Sequence, residues 1–418
     1  MNAAPDAYVQ RLVDRRLDTL FAEVPALLLI GPRATGKTTT ARRLATDIVR
    51  LDRPAEATAF LADPDAALRQ LREPALLDEW QEVPGVLGAV KRAVDDDPRA
   101  GRFLLTGSVR ADLQATTWPG TGRVVRVPLY GLTEREIQRN ASAGSVPFLD
   151  KVAANDPDGF SLPPERPDLV GYIQLALRSG FPEPALRLSE STRGPWLASY
   201  LDQLLTRDAA SLGESRDPAR LRRFFEVLAL STAGMPNLTS LTAAAGINTK
   251  TARAYEDLLT NLLVLESVPA WTTNRLSRLI KTPKRYVVDP ALAATAGRVD
   301  TRTALRDGDL LGRLIDTFVV AQLRPEITLM DPSPRLHHLR TDGGRQEVDL
   351  VAEMAGGAVV GIEVKATAAP TSQDARHLAW LRDELGERFL GGGVLHTGPR
   401  IYHLGERIWA VPICALWG

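Results

Sequence analysis

The chain has 418 residues, 44% hydrophobic and 24% charged, which suits a globular protein of roughly two to four domains and gives no argument for extensive disorder. Its 51 basic and 51 acidic residues cancel, so contact with nucleic acid would have to come from a local basic patch. The single cysteine, Cys414, excludes an internal disulfide, and with neither a signal-peptide core nor an apolar run near the roughly 18 to 20 residues that span a bilayer, a cytoplasmic protein with no membrane partner is expected.

Residues 7–24 carry Tyr8, Leu12, Leu17, Leu20 and Phe21 close to a helical stripe and predict a lead-in helix. Leu27 to Ile30 then read as a buried parallel strand, and Thr39 to Val49, with Ala41, Leu44, Ala45 and Ile48 apolar, as a helix. Between them lies Gly31-Pro32-Arg33-Ala34-Thr35-Gly36-Lys37-Thr38, followed by Thr39, with the spacing of a phosphate-binding loop. Each position has a physical role. The glycines let backbone N–H groups wrap phosphate oxygens, Lys37 neutralises the β- and γ-phosphates, and Thr38 ligates Mg²⁺. ATP is the expected ligand. Eight-residue patterns of this kind also arise by chance, but not commonly between a strand and a helix.

Pro74 to Trp80 (PALLDEW) predicts a strand ending in Asp78 and Glu79, followed by a helix through Val86 to Val94. Adjacent acids at a strand end can place one carboxylate, Asp78, near Mg²⁺ and leave the other, Glu79, to orient or deprotonate water. Alone the pattern is weak, since solvated loop acids are common. A third strand within Arg102 to Ser108 ends in Thr106 and Ser108, where a polar group could sense the γ-phosphate, or where Thr-Gly-Ser could form a plain turn. Gly122 to Leu129 is a further strand-like run, with Arg123 and Arg126 expected on opposite faces.

GPRATGKT at Gly31, LLDEW at Leu76, LLTGS at Leu104 and GRVVRVPLYGLTERE at Gly122 together resemble the prokaryotic AAA+ ATPases that carry a C-terminal domain of unknown function. GFPEPAL at Gly180 and YLDQLLTRD at Tyr200 extend the resemblance over most of the chain. The resemblance implies a P-loop core of parallel sheet and flanking helices that uses ATP and Mg²⁺. It also implies a homo-oligomer whose neighbouring subunit supplies an arginine, with Arg123 and Arg207 as candidates. Arginines at such places also commonly cap helices or make surface pairs.

Residues 141–170, rich in Asp, Pro, Ala and Ser, read as a loop or linker. From Leu221 the pattern is helical, and Asn237 to Leu263 outlines a helix-turn-helix: Ala244 and Ala245 for close packing, Gly246 at the turn, Ile247 and Ala254 toward the core. Thr249, Lys250 and Arg253 would face outward, and Arg275, Arg278, Lys281, Lys284 and Arg285 could form a basic wing against a DNA backbone. Winged helices also serve as lids and protein-contact modules, so DNA is one of two partner classes.

Near the C-terminus, Glu347 to Val351 and Val359 to Ala366 alternate about a Gly356-Gly357 turn and predict a hairpin. Period-two geometry puts Glu363 and Lys365 on one face, opposite Ile362 and Val364, and Asp349 opposite Val348 and Leu350. An acid, 13 residues, then Glu-x-Lys resembles the PD-(D/E)xK nuclease superfamily, although Asp349 follows Val348 rather than proline. Leu311 to Leu323 is similar to the superfamily's first core helix, with Asp316 where an acid is often found. The resemblance implies Asp316, Asp349 and Glu363 as Mg²⁺ ligands and Lys365 beside the attacking water. A surface hairpin with solvated charges is the plain alternative. Ser372 to Leu385 would be the next helix, and Phe389 to Leu395 and Ile408 to Ile413 later strands.

The expected α/β architecture is therefore a P-loop AAA+ core over 1–140, a helical connecting segment over 141–215, a winged-helix domain over 216–295 and an α/β restriction-endonuclease-like domain over 296–418. Three functions fit it: an ATPase coupled to DNA cleavage, an ATP-gated DNA-binding regulator with a silent nuclease-like domain, or an ATP-driven protein remodeller.

Overall fold

A computed structural model describes residues 8–108, 121–141, 146–211, 217–272 and 282–418. After helix α1 (Asp14–Phe21), strands β1 (Ala26–Ile30), β2 (Asp47–Arg50), β3 (Ala75–Asp78), β4 (Phe103–Gly107) and β5 (Val125–Pro128) form one sheet in the order β2-β3-β4-β1-β5. Every pairing in it is parallel. Both faces are covered, which is why these strands read as continuous apolar runs. Leu27, Leu29, Leu76 and Leu104 pack with Leu17 and Phe21 of α1, while Leu28, Leu77, Phe103 and Leu105 pack with Val86, Leu87 and Val90 of a helix over Gly85–Asp96.

The helix expected over Thr39–Val49 needs correction. Helix α2 runs only over Lys37–Arg42, and Ile48 and Val49 belong to β2, paired with Leu76 and Leu77 of β3. Three consecutive threonines, two of their side chains partly exposed, lower helix propensity there, and the apolar pair gains more by completing the sheet.

Residues 141–170 are a second correction. Within them α3 (Phe148–Ala154) buries Phe148, Leu149 and Val152 in the C-terminal core, and Phe148 N–H donates to Glu326 at 2.9 Å. The stretch is part of a domain, not a tether. Helix α4 (Leu169–Arg178) joins the same core, and α5 (Glu190–Gln203) continues into a π-helical turn at Leu204–Asp208.

Helices α6 (Pro218–Leu230), α7 (Leu238–Ala245) and α8 (Thr249–Asn261) build a separate core with the antiparallel pair β6 (Leu265–Val268) and β7 (Lys284–Val287). Gly246 turns between α7 and α8 with φ +65°, and Thr249, Lys250 and Arg253 are exposed. The core positions differ from expectation: Ala244 is exposed, Ala254 is half-buried, and Ala245, Ala252, Tyr255, Leu258 and Leu259 fill the interior.

The C-terminal domain follows a long helix α9 (Gly308–Ile327). Strands β8 (Arg335–Arg340), β9 (Glu347–Glu353), β10 (Val359–Lys365), β11 (Phe389–His396), β12 (Tyr402–Gly405) and β13 (Ile408–Pro412) form a mixed sheet in the order β12-β13-β11-β10-β9-β8. Helix α9 covers one face and α10 (Arg376–Leu385) the other. Among the described residues no helix is long and apolar enough to cross a membrane.

Candidate functional site

The loop between β1 and α2 is held from outside. A Cβ on Gly31 would stand 2.0 Å from the Leu129 carbonyl oxygen, so only glycine allows that approach, and Gly36 takes φ +92°. Ala34, with φ +61°, shares the left-handed geometry. Buried Arg11 ties the loop down: Nη1 donates to Thr35 O at 2.9 Å, Nη2 to Tyr130 O at 2.8 Å, and Nε meets Glu136 Oε1 at 3.0 Å. From the other side, Tyr200 O–H donates to Arg33 O at 3.2 Å, and Arg33 Nη1 pairs with Asp208 Oδ1 at 3.1 Å.

Lys37 Nζ donates to Gly31 O and Pro32 O at 3.0 and 2.8 Å. Burial pushes this ammonium down to about 8, against the pull of Glu79 and Asp78. Thr38 Oγ1 donates to Asp78 Oδ1 at 2.7 Å, and Thr106 O–H donates to the same oxygen, so three segments meet on one buried carboxylate. Glu79 follows at φ 55°, ψ 52°, a conformation that costs a non-glycine residue about 1 to 3 kcal/mol. Its N–H donates to Thr106 Oγ1 at 3.3 Å, while Oε2 accepts from Ser108 at 3.3 Å and from Gln81. A cavity of about 780 Å³ opens here, lined by Gly36, Lys37, Thr38, Thr39 and Glu79 and, across it, by Tyr8, Arg139 and Arg187. That is the size range of a nucleotide-sized ligand site.

The second cluster lies some distance along the chain. Asp349 of β9 lies beside Glu363 of β10 on one side and near Asp316 of α9 on the other, and Lys365 Nζ is 2.9 Å from Glu363 Oε2. Between the two aspartates, however, is Lys284 of β7: Nζ is 2.6 Å from Asp316 Oδ2 and 3.0 Å from Asp349 Oδ1. Tyr286 O–H donates to Asp316 Oδ1 at 3.1 Å, and Val364 N–H to Asp349 Oδ2 at 3.0 Å. Burial pushes Asp316 up to about 6 despite Lys284. Burial also opposes the charge on Asp349, but Lys284 and then Lys365 outweigh it and hold that group at about 2. Burial, reinforced by Asp349, raises Glu363 well above its ordinary range. Among the described residues no group of three or more His, Cys, Asp and Glu is arranged to hold a metal ion. The donor set at Asp316, Asp349 and Glu363 therefore does not fit Mg²⁺ as it stands.

Residues 23–138 match the family described as AAA domain. The match covers the part of the chain that carries the phosphate-binding loop, Asp78 and Thr106. Beyond this AAA domain, residues 170–303 and 311–416 match two domains of unknown function, DUF8612 and DUF4143. Uncharacterized proteins of Mycobacterium tuberculosis and Mycobacterium bovis are each 29% identical over 421 residues, spanning 98% of this chain and 86% of theirs. A Walker-type ATPase of Pyrococcus abyssi superposes on 68% of this chain and 94% of its own, with a TM-score of 0.41 and 13% identity.

Of the arginines considered for a neighbouring AAA site, Arg123 is bound to Asp95 at 2.7 Å and Arg207 is exposed. The basic wing is a correction: Lys284 and Arg285 are buried, the second paired with Glu256 of α8 at 2.7 Å, while Arg275, Arg278 and Lys281 lie outside the described residues. Arg11, Tyr200 and Asp208, which brace the AAA loop, were not singled out as site residues by sequence reasoning. Only the Thr133-x-x-Glu136 capping box, whose Glu136 receives Arg11, carried a local signal.

Proposed function

We propose that the chain binds and hydrolyses ATP and that the nucleotide state acts on a DNA-contacting C-terminal half whose nuclease-like domain does not cut. The convergence of Thr38 and Thr106 on Asp78, with Glu79 next in the chain, carries the first part. Backbone N–H groups from Arg33 to Thr39, at the start of a helix, would take the phosphates, and Lys37 would turn its ammonium from its own loop to the β- and γ-phosphate oxygens. Thr38 and Asp78 would hold Mg²⁺, which offsets phosphate charge when bound. Glu79, fixed by Thr106 and Ser108, would orient the attacking water and accept its proton. Thr106, bonded to both acids' segments, would keep the two carboxylates in register.

Coupling is supported by the braces on the loop. Phosphate binding draws on Arg33 and its neighbours, and Arg33 is joined to Asp208 and Tyr200 at the end of α5, where a π-helical turn leads to the helix-turn-helix segment. Exposed Lys250 and Arg253 at the start of α8 support a backbone contact to DNA. The Lys284 ammonium among the carboxylates favours the non-cutting reading over cleavage. The test is the ATPase rate and assembled mass with and without duplex DNA. The rate is expected to change on DNA addition, and binding to weaken steeply with salt. An unaltered rate and no binding at low salt would leave a protein remodeller as the better reading.

A further inference from the structure

Strand β7 alternates between two domains. Arg285 and Val287 point into the helix-turn-helix unit, where Arg285 meets Glu256 and Val287 joins the core of that unit. Lys284 and Tyr286 point the other way, into the C-terminal domain, and both reach Asp316. A four-residue strand from one domain thus carries two donors into the carboxylate cluster of another.

Every carboxylate oxygen of the two aspartates is engaged. Asp316 receives Tyr286 and Lys284 on its two oxygens, and Asp349 receives Lys284 and the Val364 N–H on its own two. Lys284 is 3% exposed and Asp316 6%. A Mg²⁺ ion needs near-octahedral oxygen coordination at about 2.0 to 2.1 Å and keeps several waters. Neither condition can be met while an ammonium lies between the two aspartates at 2.6 and 3.0 Å. The third acid, Glu363, is 2% exposed and lies against Asp349, and its Oε1 receives no hydrogen bond from an N–H or O–H donor outside that pair of acids.

We propose that Lys284 is the resident cation of this site, supplied by the neighbouring domain, and that it excludes divalent metal for as long as β7 is docked. The charge a metal would bring is already present as Lys284, and the same contact fastens the helix-turn-helix unit to the C-terminal domain. Withdrawal of Lys284 would leave the Asp316 and Asp349 carboxylates without their cation, with Glu363 beside Asp349, and a divalent ion is the expected replacement. This inference deepens the reading of a non-cutting C-terminal domain and does not depend on ATP turnover.

Manganese is the probe, counted by the loss of the free-ion electron paramagnetic resonance signal in full-length protein without nucleotide. Wild type and Asp349→Asn are expected to bind the same number of ions, because the site does not admit metal in either. Lys284→Met is expected to gain one Mn²⁺ per chain, which disappears when Asp349→Asn is added. It is also expected to melt lower than wild type and to regain temperature on adding Mn²⁺, a response absent in wild type. Since Lys284→Met removes a buried countercharge, Lys284→Gln is measured beside it, and the wild-type comparison can overturn the claim without either. Wild type binding one ion more than Asp349→Asn overturns the proposal, as does a folded Lys284 variant that gains no ion. ATP hydrolysis, measured in parallel, reports separately on the nucleotide site.

Discussion

The ion pair between Arg135 and Glu326 joins the end of the AAA domain to helix α9, and its removal has a calculable cost. Arg135 is 1% exposed and Glu326 3%, with Nη1 and Oε1 2.8 Å apart as a charge pair that lacks hydrogen-bond alignment. Glu326→Leu strands a buried guanidinium and also deprives the Phe148 N–H of its acceptor. Breaking a buried pair from one side costs about 3 to 5 kcal/mol, and the lost acceptor about 1 to 3 kcal/mol more. Arg135→Met should cost less, because the acid left behind can take up a proton; burial already raises Glu326 above its ordinary range. A folded-state pKa raised above the unfolded value stabilises at low pH and loses that contribution as pH rises, so the Arg135→Met deficit should shrink on acidification. The double variant replaces the pair by apolar groups and should recover most of the loss. Urea unfolding followed by tryptophan fluorescence reads this, since Trp80 lies in the AAA core and Trp417 packs on Tyr172 and Phe318 in the C-terminal core. A Glu326→Leu cost below about 1 kcal/mol, within the range of surface pairs, would show that the pair is not buried in effect. A double variant that falls at the sum of the two singles would show that the two residues are not coupled.

Two further outcomes are expected. Lys37 is held at about 8 by burial, and phosphate binding favours its charged form; nucleotide affinity should be flat at pH values well below 8 and weaken as pH rises through it, by up to about tenfold per unit. Fluorescent-nucleotide titrations across pH check this, and an affinity unchanged to pH 9.5 or so, beyond that window, would count against it. Phe148→Ala should destabilise the C-terminal domain by about 3 to 5 kcal/mol, as for a fully buried aromatic, whereas a change under about 0.5 kcal/mol would mark a surface segment.

The residues of the proposed nucleotide site were legible because their chemistry is written locally. Gly31 to Thr38 is one uninterrupted pattern, and Asp78, Glu79 and Thr106 stand at the ends of short apolar runs whose burial on both sheet faces marks them as strands. The hairpin carrying Asp349 and Glu363 was legible for the same reason. Lys284 was not: its partners are 32 and 65 positions away, and in sequence it is one more basic residue after Arg275, Arg278 and Lys281. Phe148, Leu149 and Val152 form too short a stripe to stand out among the prolines and aspartates around them, and the C-terminal sheet they cover lies more than two hundred residues on. Arg11 belongs to the same class, a side chain whose role is fixed by Thr35, Tyr130 and Glu136 at once.

In the proposed mechanism everything turns on Glu79 activating water at a site whose phosphates are held by Lys37 and the loop. Phosphate release by Glu79→Gln, measured beside its nucleotide affinity, decides whether it does. Affinity should stay close to wild type while turnover falls by about 10²- to 10⁴-fold, the contribution of a positioned general base, and Lys37→Ala should lose binding or turnover. Turnover unchanged in both variants would place the chemistry elsewhere.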